Sequence, residues 1–300
     1  MDQLNQGMIE RAPKVADGIV HYLPHQAVIR EDKSTTKLRV VNDGSATVSV
    51  DSVSLNDCLH KGPVLLNDLA GVIMRTRLYP ILLVSDIEKA FLMIEIIPSD
   101  RDAVRFLWVE DPFVIDSPLV TYRFTRVAFG LVSSPAQLAT TLKYHLDRAG
   151  SELAKAISRD LYVDNVLVGL KNKREVSLTY YEQKKLFKSA GMNIREFASN
   201  ERSEILKLPN KDQGAVDKTK VLGITWLLED DKFVITLPKF GTEEKVTRRS
   251  VLAHIAKTFD PLGWVGPALL KAKLFLQKLI KSGNYGWDDE VSSSEKNGWT

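Results

Sequence analysis

The chain of 300 residues is 44% hydrophobic and 26% charged, enough apolar material for two or three packed subdomains. Its longest apolar stretches, such as Ile81 to Val84 and Trp264 to Leu270, fall well short of the roughly 20 residues that cross a bilayer, so no membrane partner is expected. The net charge of +3 is too small to argue for nucleic acid by itself, and the single Cys58 excludes an intramolecular disulfide framework and a Cys-rich zinc site. The N-terminus lacks the apolar segment of a secretory signal, and the expectation is an intracellular, cytoplasmic protein.

In chain order, residues 2–11 read as a short helix, followed by an extended stretch from His21 to Arg30 and a strand at Lys37 to Val41. The polar turn EDKSTT separates these two extended stretches. Apolar residues recur at mostly helical spacing from Leu65 to Leu78, predicting an amphipathic helix. ILLVSDI reads as a buried strand, and VRFLWV and LVTYRFT as two more separated by a turn containing Pro and Asp. SSPAQLATTLKYHLDRAG carries Ser, Pro and Gly where a helix starts and stops. LYVDNVLVGL, apolar on both sides of Asp164-Asn165, reads as a hairpin with a two-residue turn.

A helix over Arg174 to Ala190 ends at Gly191, and a short strand follows near Met192 to Glu196. Strands KVLGITWL and KFVITL come next, then helices at Thr247 to Thr258 and Trp264 to Ile280. The alternation predicts an α+β fold with helices over a sheet. Lys245, Arg248, Arg249, Lys257, Lys271, Lys273, Lys278 and Lys281 concentrate in the last helical stretch, which reads as a phosphate-binding face or as a solvated one.

Two-metal phosphoryl or nucleotidyl transfer requires hard oxygen ligands converging from separate elements. Asp86 at the end of ILLVSDI and Asp164 in the LYVDNVLVG turn meet that need if their strands are neighbours. Each alone reads far more readily as an ordinary turn residue, with a catalytic role in about one case in ten.

Their order and surroundings resemble the reverse transcriptases. SDIEKAF at 85–91 resembles the first polymerase motif, RFTRVAFGLVSSP at 123–135 the second, and LYVDNVLVG the Tyr-Val-Asp-Asp hairpin of the third. AGMNIREFASN and KVLGITW resemble the last two palm elements, in the same order. TTKLRVVNDGSA, SLNDCLHKGPVLLNDLAGVIMRTRLYPILLVSDIEKAF and IAKTFDPLGWVGPALLKAKLFLQ look like segments of BEL/Pao retrotransposon polyproteins, a likeness running from His21 to about Trp287.

The resemblance implies a right-hand polymerase with fingers over residues 1–80, a ferredoxin-like palm over 81–230 and a helical thumb or connection over 231–300. Asp86, Asp164 and the Ile87 carbonyl would ligate two Mg²⁺ ions, and Mn²⁺ is an alternative. Lys37 and Arg39 match positions that contact the incoming dNTP, and Phe91 matches the gate that excludes a ribose 2′-OH. Phe129 and Gly130 match the turn under the nucleotide, and Leu222 and Gly223 the primer grip. The implied partners are a primed RNA or DNA template and dNTPs, and an active element would add a virus-like particle. A protease would lie upstream, and RNase H and integrase downstream, with no segment of either found in this chain.

Three departures stand out. Asn165 occupies the position of the second aspartate, which removes a charge from the catalytic turn; Ala128 replaces a Pro commonly found before Phe-Gly, and NDGS replaces Phe-Asp-Ala-Ser. Two readings follow: an active RNA-directed DNA polymerase, or a decayed or co-opted copy that folds and binds nucleic acid without turnover. An aspartic protease is rejected, because DGS at 43–45 has the order of its signature wrong.

Overall fold

The computed structural model describes residues 2–16, 18–29, 38–238 and 245–296. The chain opens with one helical turn, α1 (Asp2–Asn5), and then extends as β1 (Ile9–Arg11). This corrects the helix expected over 2–11: Gly7 adopts φ +65, and Met8 N–H turns back to the Gln3 carbonyl. β2 (His25–Ile29) and β3 (Leu38–Asn42) pair antiparallel, with His25 opposite Asn42. Lys37 and the EDKSTT turn lie outside the described residues.

A reciprocal cap between Ser54 and Asp57 starts α2 (Leu55–Cys58). α3 (Leu69–Thr76) is shorter than the expected 65–78 because Asp68 caps it, accepting the Gly71 N–H at 2.6 Å. Leu65 and Leu66 stay exposed outside any helix. β4 (Ile81–Ile87) follows, buried at every position except Asp86. Two 3-10 turns, Ala90–Met93 and Pro98–Val104, lead to the hairpin of β5 (Arg105–Val109) and β6 (Leu119–Phe124).

α4 (Ser134–Ala149) ends at Gly150, whose φ of +62 and N–H bond to the Leu146 carbonyl close the last turn. At its other end the Ser133 side chain makes no capping bond; instead the Ser134 hydroxyl donates to the Ala128 carbonyl. α5 (Glu152–Asp160) occupies a stretch where the sequence reading places no element; Ser151 caps it, and Ala154 and Ile157 are wholly buried. β7 (Asn165–Leu170), α6 (Arg174–Ser189), β8 (Ile194–Ser199) and α7 (Arg202–Ile205) follow.

KVLGITWL is not one strand. β9 (Lys218–Val221) and β10 (Ile224–Leu227) pair antiparallel about Leu222-Gly223, and β11 (Lys232–Val234) pairs with β10. Leu222 and Gly223 both have positive φ, 49° and 91°, the requirement of a two-residue turn that follows strand twist. The chain closes with α8 (Arg248–Ala256), α9 (Gly266–Ser282) and α10 (Ser293–Lys296). Three of the basic residues expected on a C-terminal face are engaged there: Arg248 with the Leu279 carbonyl, Arg249 with Asp288 and Lys278 with Glu295.

The sheets are ordered β1-β6-β5, β7-β4-β8 and β11-β10-β9, besides the β2-β3 pair. The chain divides into two compact units: residues 1–67, 86–166 and 178–195, and residues 68–85, 167–177 and 196–300. The first is centred on Met8, Leu23, Phe106, Tyr122, Phe124 and Ala128, and also holds a buried ionic cluster. There Asp102, 1% exposed, receives both Arg105 and Arg123, satisfying charges that would otherwise be costly in the interior. The second packs Val72, Leu82, Val84, Leu167 and Ala198 against the buried Trp226, whose indole N–H donates to Asp231.

The Leu222-Gly223 turn carries a stability prediction. A Cβ at Gly223 would lie 2.7 Å from the Phe259 ring in a backbone conformation that L residues rarely adopt. Gly223→Ala is expected to destabilise the protein by about 1–3 kcal/mol in urea unfolding. An unchanged midpoint and slope would contradict this account of the turn.

Candidate active site

The site is built from the exposed end of β4 and the turn before β7. Ile81 to Ser85 are buried, Asp86 is half-buried, and Ile87 is buried again, so the carboxylate occupies the one position of the strand open to solvent. The Ile87 N–H donates to the Asp164 carbonyl at 2.9 Å, which sets Asp86 and Asp164 on adjoining backbone segments. One residue on, the Glu88 N–H donates to the Asn193 carbonyl at 2.9 Å. Glu88 is held further by the Asn193 amide at 2.8 Å and by Arg195 at 3.2 Å.

The turn differs from the predicted hairpin. Tyr162 and Asn165 exchange both backbone hydrogen bonds, at 3.0 and 2.9 Å, so the two turn residues are Val163 and Asp164 rather than Asp164 and Asn165. The first arm is a single bridge and not a strand. Val163 has φ +57, a costly conformation for a β-branched residue, held by bonds on both sides of it.

Within the turn the Asn165 amide donates to Asp164 Oδ1 at 2.8 Å. Burial pushes the Asp164 carboxyl above its ordinary range, partly offset by a backbone N–H and by Asn165. Among the described residues no cationic side chain pairs with Asp164. No group of three or more His, Cys, Asp or Glu side chains converges there or elsewhere among the described residues. The turn therefore presents a desolvated carboxylate beside an amide, with hard oxygens and no competing cation.

The second cluster joins Phe91, Phe129 and Gly130. Phe91 sits in the 3-10 turn after Lys89, whose φ of +51 redirects the chain, and its ring meets Phe129 edge-on at 4.8 Å. Phe129 is 49% exposed. Gly130 has φ +95, and a Cβ there would lie 2.3 Å from the Asn42 carbonyl, so the end of β3 closes directly on this glycine. Arg39 is exposed on the same strand, opposite Val28. Leu222 and Gly223 belong to the second unit.

Asn56 is the residue that sequence reasoning missed. Its amide donates to the Gly130 carbonyl at 3.1 Å and to Ser45 at 2.8 Å, and its carbonyl accepts the Val132 N–H at 2.8 Å. It pegs the Phe129-Gly130 turn from both sides. The sequence signal is faint: an Asn beside a Ser-Leu helix start.

No curated protein matches the sequence. Residues 247–300 match a family described as Pao retrotransposon-like RNaseH-like domain. This corrects the expectation that an RNase H-related segment lies only downstream, although the described part of that stretch holds helices α8, α9 and α10. Two solved structures superpose on 99% of the chain at 14% identity: a foamy viral protease-reverse transcriptase in complex with RNA/DNA hybrid, TM-score 0.59, and a foamy viral protease-reverse transcriptase dRH in complex with ds DNA, TM-score 0.57. The fold is a mixed α/β fold similar to that of retroviral reverse transcriptases. The chain spans 34% and 44% of those two chains. With the C-terminal match, the likeness supports a retroelement pol-related protein. No helix among the described residues is long and apolar enough to cross a membrane.

Two predictions follow from the geometry. Asn56→Ala removes the bonds to the exposed Gly130 carbonyl and the half-buried Val132 N–H and is expected to cost about 0.5–1.5 kcal/mol in chemical unfolding. Asp164→Asn is expected to raise the melting temperature of the metal-free protein at neutral pH. The sign follows from linkage: a carboxyl raised in the folded state contributes stability when protonated, below its ordinary range, and loses it as pH rises through the folded value. The gain should thus disappear in melts at acidic pH, and a pH-independent gain would refute burial as its cause.

Proposed function

We propose that the chain is a reverse-transcriptase core of BEL/Pao type, carrying out template-directed DNA synthesis from dNTPs on RNA or DNA. The observation that carries the reading is the Ile87 to Asp164 hydrogen bond, which brings two acids from distant motifs to one sheet end. The fold likeness to retroviral reverse transcriptases supports it. Fingers, ferredoxin-like palm and helical thumb or connection are the corresponding roles for residues 1–80, 81–230 and 231–300.

The donor set at this end fits Mg²⁺, which prefers oxygen ligands and few protein carboxylates. Asp86, Asp164 and the Ile87 carbonyl would hold it, where it would activate a primer 3′-hydroxyl and neutralise triphosphate charge. Asn165 donates to one oxygen of Asp164, and a cation would be held by that carboxylate in competition with this bond. Phe91, braced edge-on by Phe129, would exclude a 2′-OH by bulk. Gly130, whose missing side chain lets the Asn42 carbonyl close on the turn, would hold that turn beneath the nucleotide. Arg39 and Lys37 would meet the triphosphate, and Leu222-Gly223 the primer strand. A protease upstream and integrase downstream would complete the polyprotein.

A second reading, a decayed or co-opted copy, is favoured by one observation: the turn holds an amide where a second carboxylate would strengthen cation binding. Primer extension on RNA and DNA templates with Mg²⁺ or Mn²⁺ separates the two. Asp86→Ala should lower synthesis by roughly 10³-fold or more, the several kcal/mol that a catalytic metal contributes. Asn165→Asp should raise Mg²⁺-dependent synthesis relative to Mn²⁺. A folded chain that extends no primer with either metal belongs to the second reading. Phe91→Val should cost roughly 10–100-fold in discrimination against rNTPs, and unchanged sugar selectivity removes Phe91 from the gate.

A further inference from the structure

The sheet β1-β6-β5 carries an aromatic face that its neighbours do not fill. Phe106 stands opposite Tyr122 and Phe124 opposite Ile9 in the strand register, and Trp108 follows two residues after Phe106, so alternation places these side chains on one face. Phe106 packs on Tyr122 and Phe124 at 5.8 and 5.0 Å between ring centres. His25 of β2 stacks on Trp108 at 5.1 Å and meets Phe106 edge-on at 5.9 Å. Between this face, Val40 of β3 and Phe129 lies a cavity of about 290 Å³, all of it within the first unit.

We propose that this cavity is a binding site for a small, planar, neutral or weakly basic aromatic molecule. Its size is near the lower end for ligand pockets, which admits two or three fused rings and not a nucleotide with its phosphates. The rings of His25, Phe106, Trp108, Tyr122, Phe124 and Phe129 line it beside aliphatic side chains, and ring faces and edges are surfaces against which a flat π-system packs well. Among the described residues no Lys or Arg lines the cavity, and its one carboxylate, Glu110, is already paired with Arg11 at 2.8 Å. An anion would find no partner in that lining and a cation no free carboxylate, so an uncharged ring system fits best. The site is separate from the acids of Asp86 and Asp164, although Phe129 is common to its wall and to the Phe91 contact.

The test is fluorescence anisotropy of acridine, a planar, weakly basic ring system that is neutral at mildly alkaline pH, titrated with the full chain in the absence of nucleic acid, nucleotide and metal. Saturable one-to-one binding is expected, with the anionic dye 8-anilinonaphthalene-1-sulfonate at least tenfold weaker. Val40→Phe, at a position 48% exposed, should fill the cavity and weaken acridine binding at least tenfold with the melting temperature unchanged. Trp108→Ala, at a position 39% exposed, should remove a wall and weaken it similarly, which keeps the test decisive if the first variant folds poorly. Equal affinity in wild type and both variants, tighter binding of the anionic dye, or no saturable binding would each overturn the assignment. None of these readouts depends on DNA synthesis, so the site stands or falls apart from the polymerase reading.

Discussion

A single backbone hydrogen bond, from the Ile87 N–H to the Asp164 carbonyl, fixes the register on which the site depends. β4 is buried on both faces, so its side chains do not by themselves choose which residue ends at the sheet margin. The bond to the turn on one side, and that of Glu88 to Asn193 on the other, make the choice. A slip of one residue would turn Asp86 to the opposite face and bring Ser85 or Ile87 into its place.

Electrostatics and geometry pull against each other in the adjoining turn. Burial makes the Asp164 charge costly, and Val163 adds a backbone conformation that its side chain disfavours. Asn165 relieves the first cost by donating a hydrogen bond where a second acid would have added repulsion. The turn is thus easier to fold without a cation than one with paired acids, and attracts a cation less.

Much of this was legible in the residues. ILLVSDI is a strand to the residue because an uninterrupted apolar run flanked by polar ends has few other uses. α4 ends at Gly150 as its composition says. Other elements were lost to local chemistry that periodicity does not register: Gly7 breaks the first helix, and Asp68 delays α3 past Leu65 and Leu66. The Val163-Asp164 turn was misplaced by one residue because Asp-Asn suits a turn better than Val-Asp, and pairing to β4 overrode that preference. Asn56 was invisible for another reason: its partners in the Phe129-Gly130 turn lie more than 70 residues away along the chain, and no local pattern encodes them.

That separation bears on how the protein folds. Asn56 joins residues 74 and 76 positions downstream, and Thr125 reaches back 118 positions to the Gly7 carbonyl. Contacts of such span close large loops before they return any stabilisation, and they form late. The Phe129-Gly130 turn thus depends on the N-terminal segment for its shape. A growing chain already carries Asn56 when residue 130 is added, whereas a fragment that begins beyond Asn56 would lack that brace.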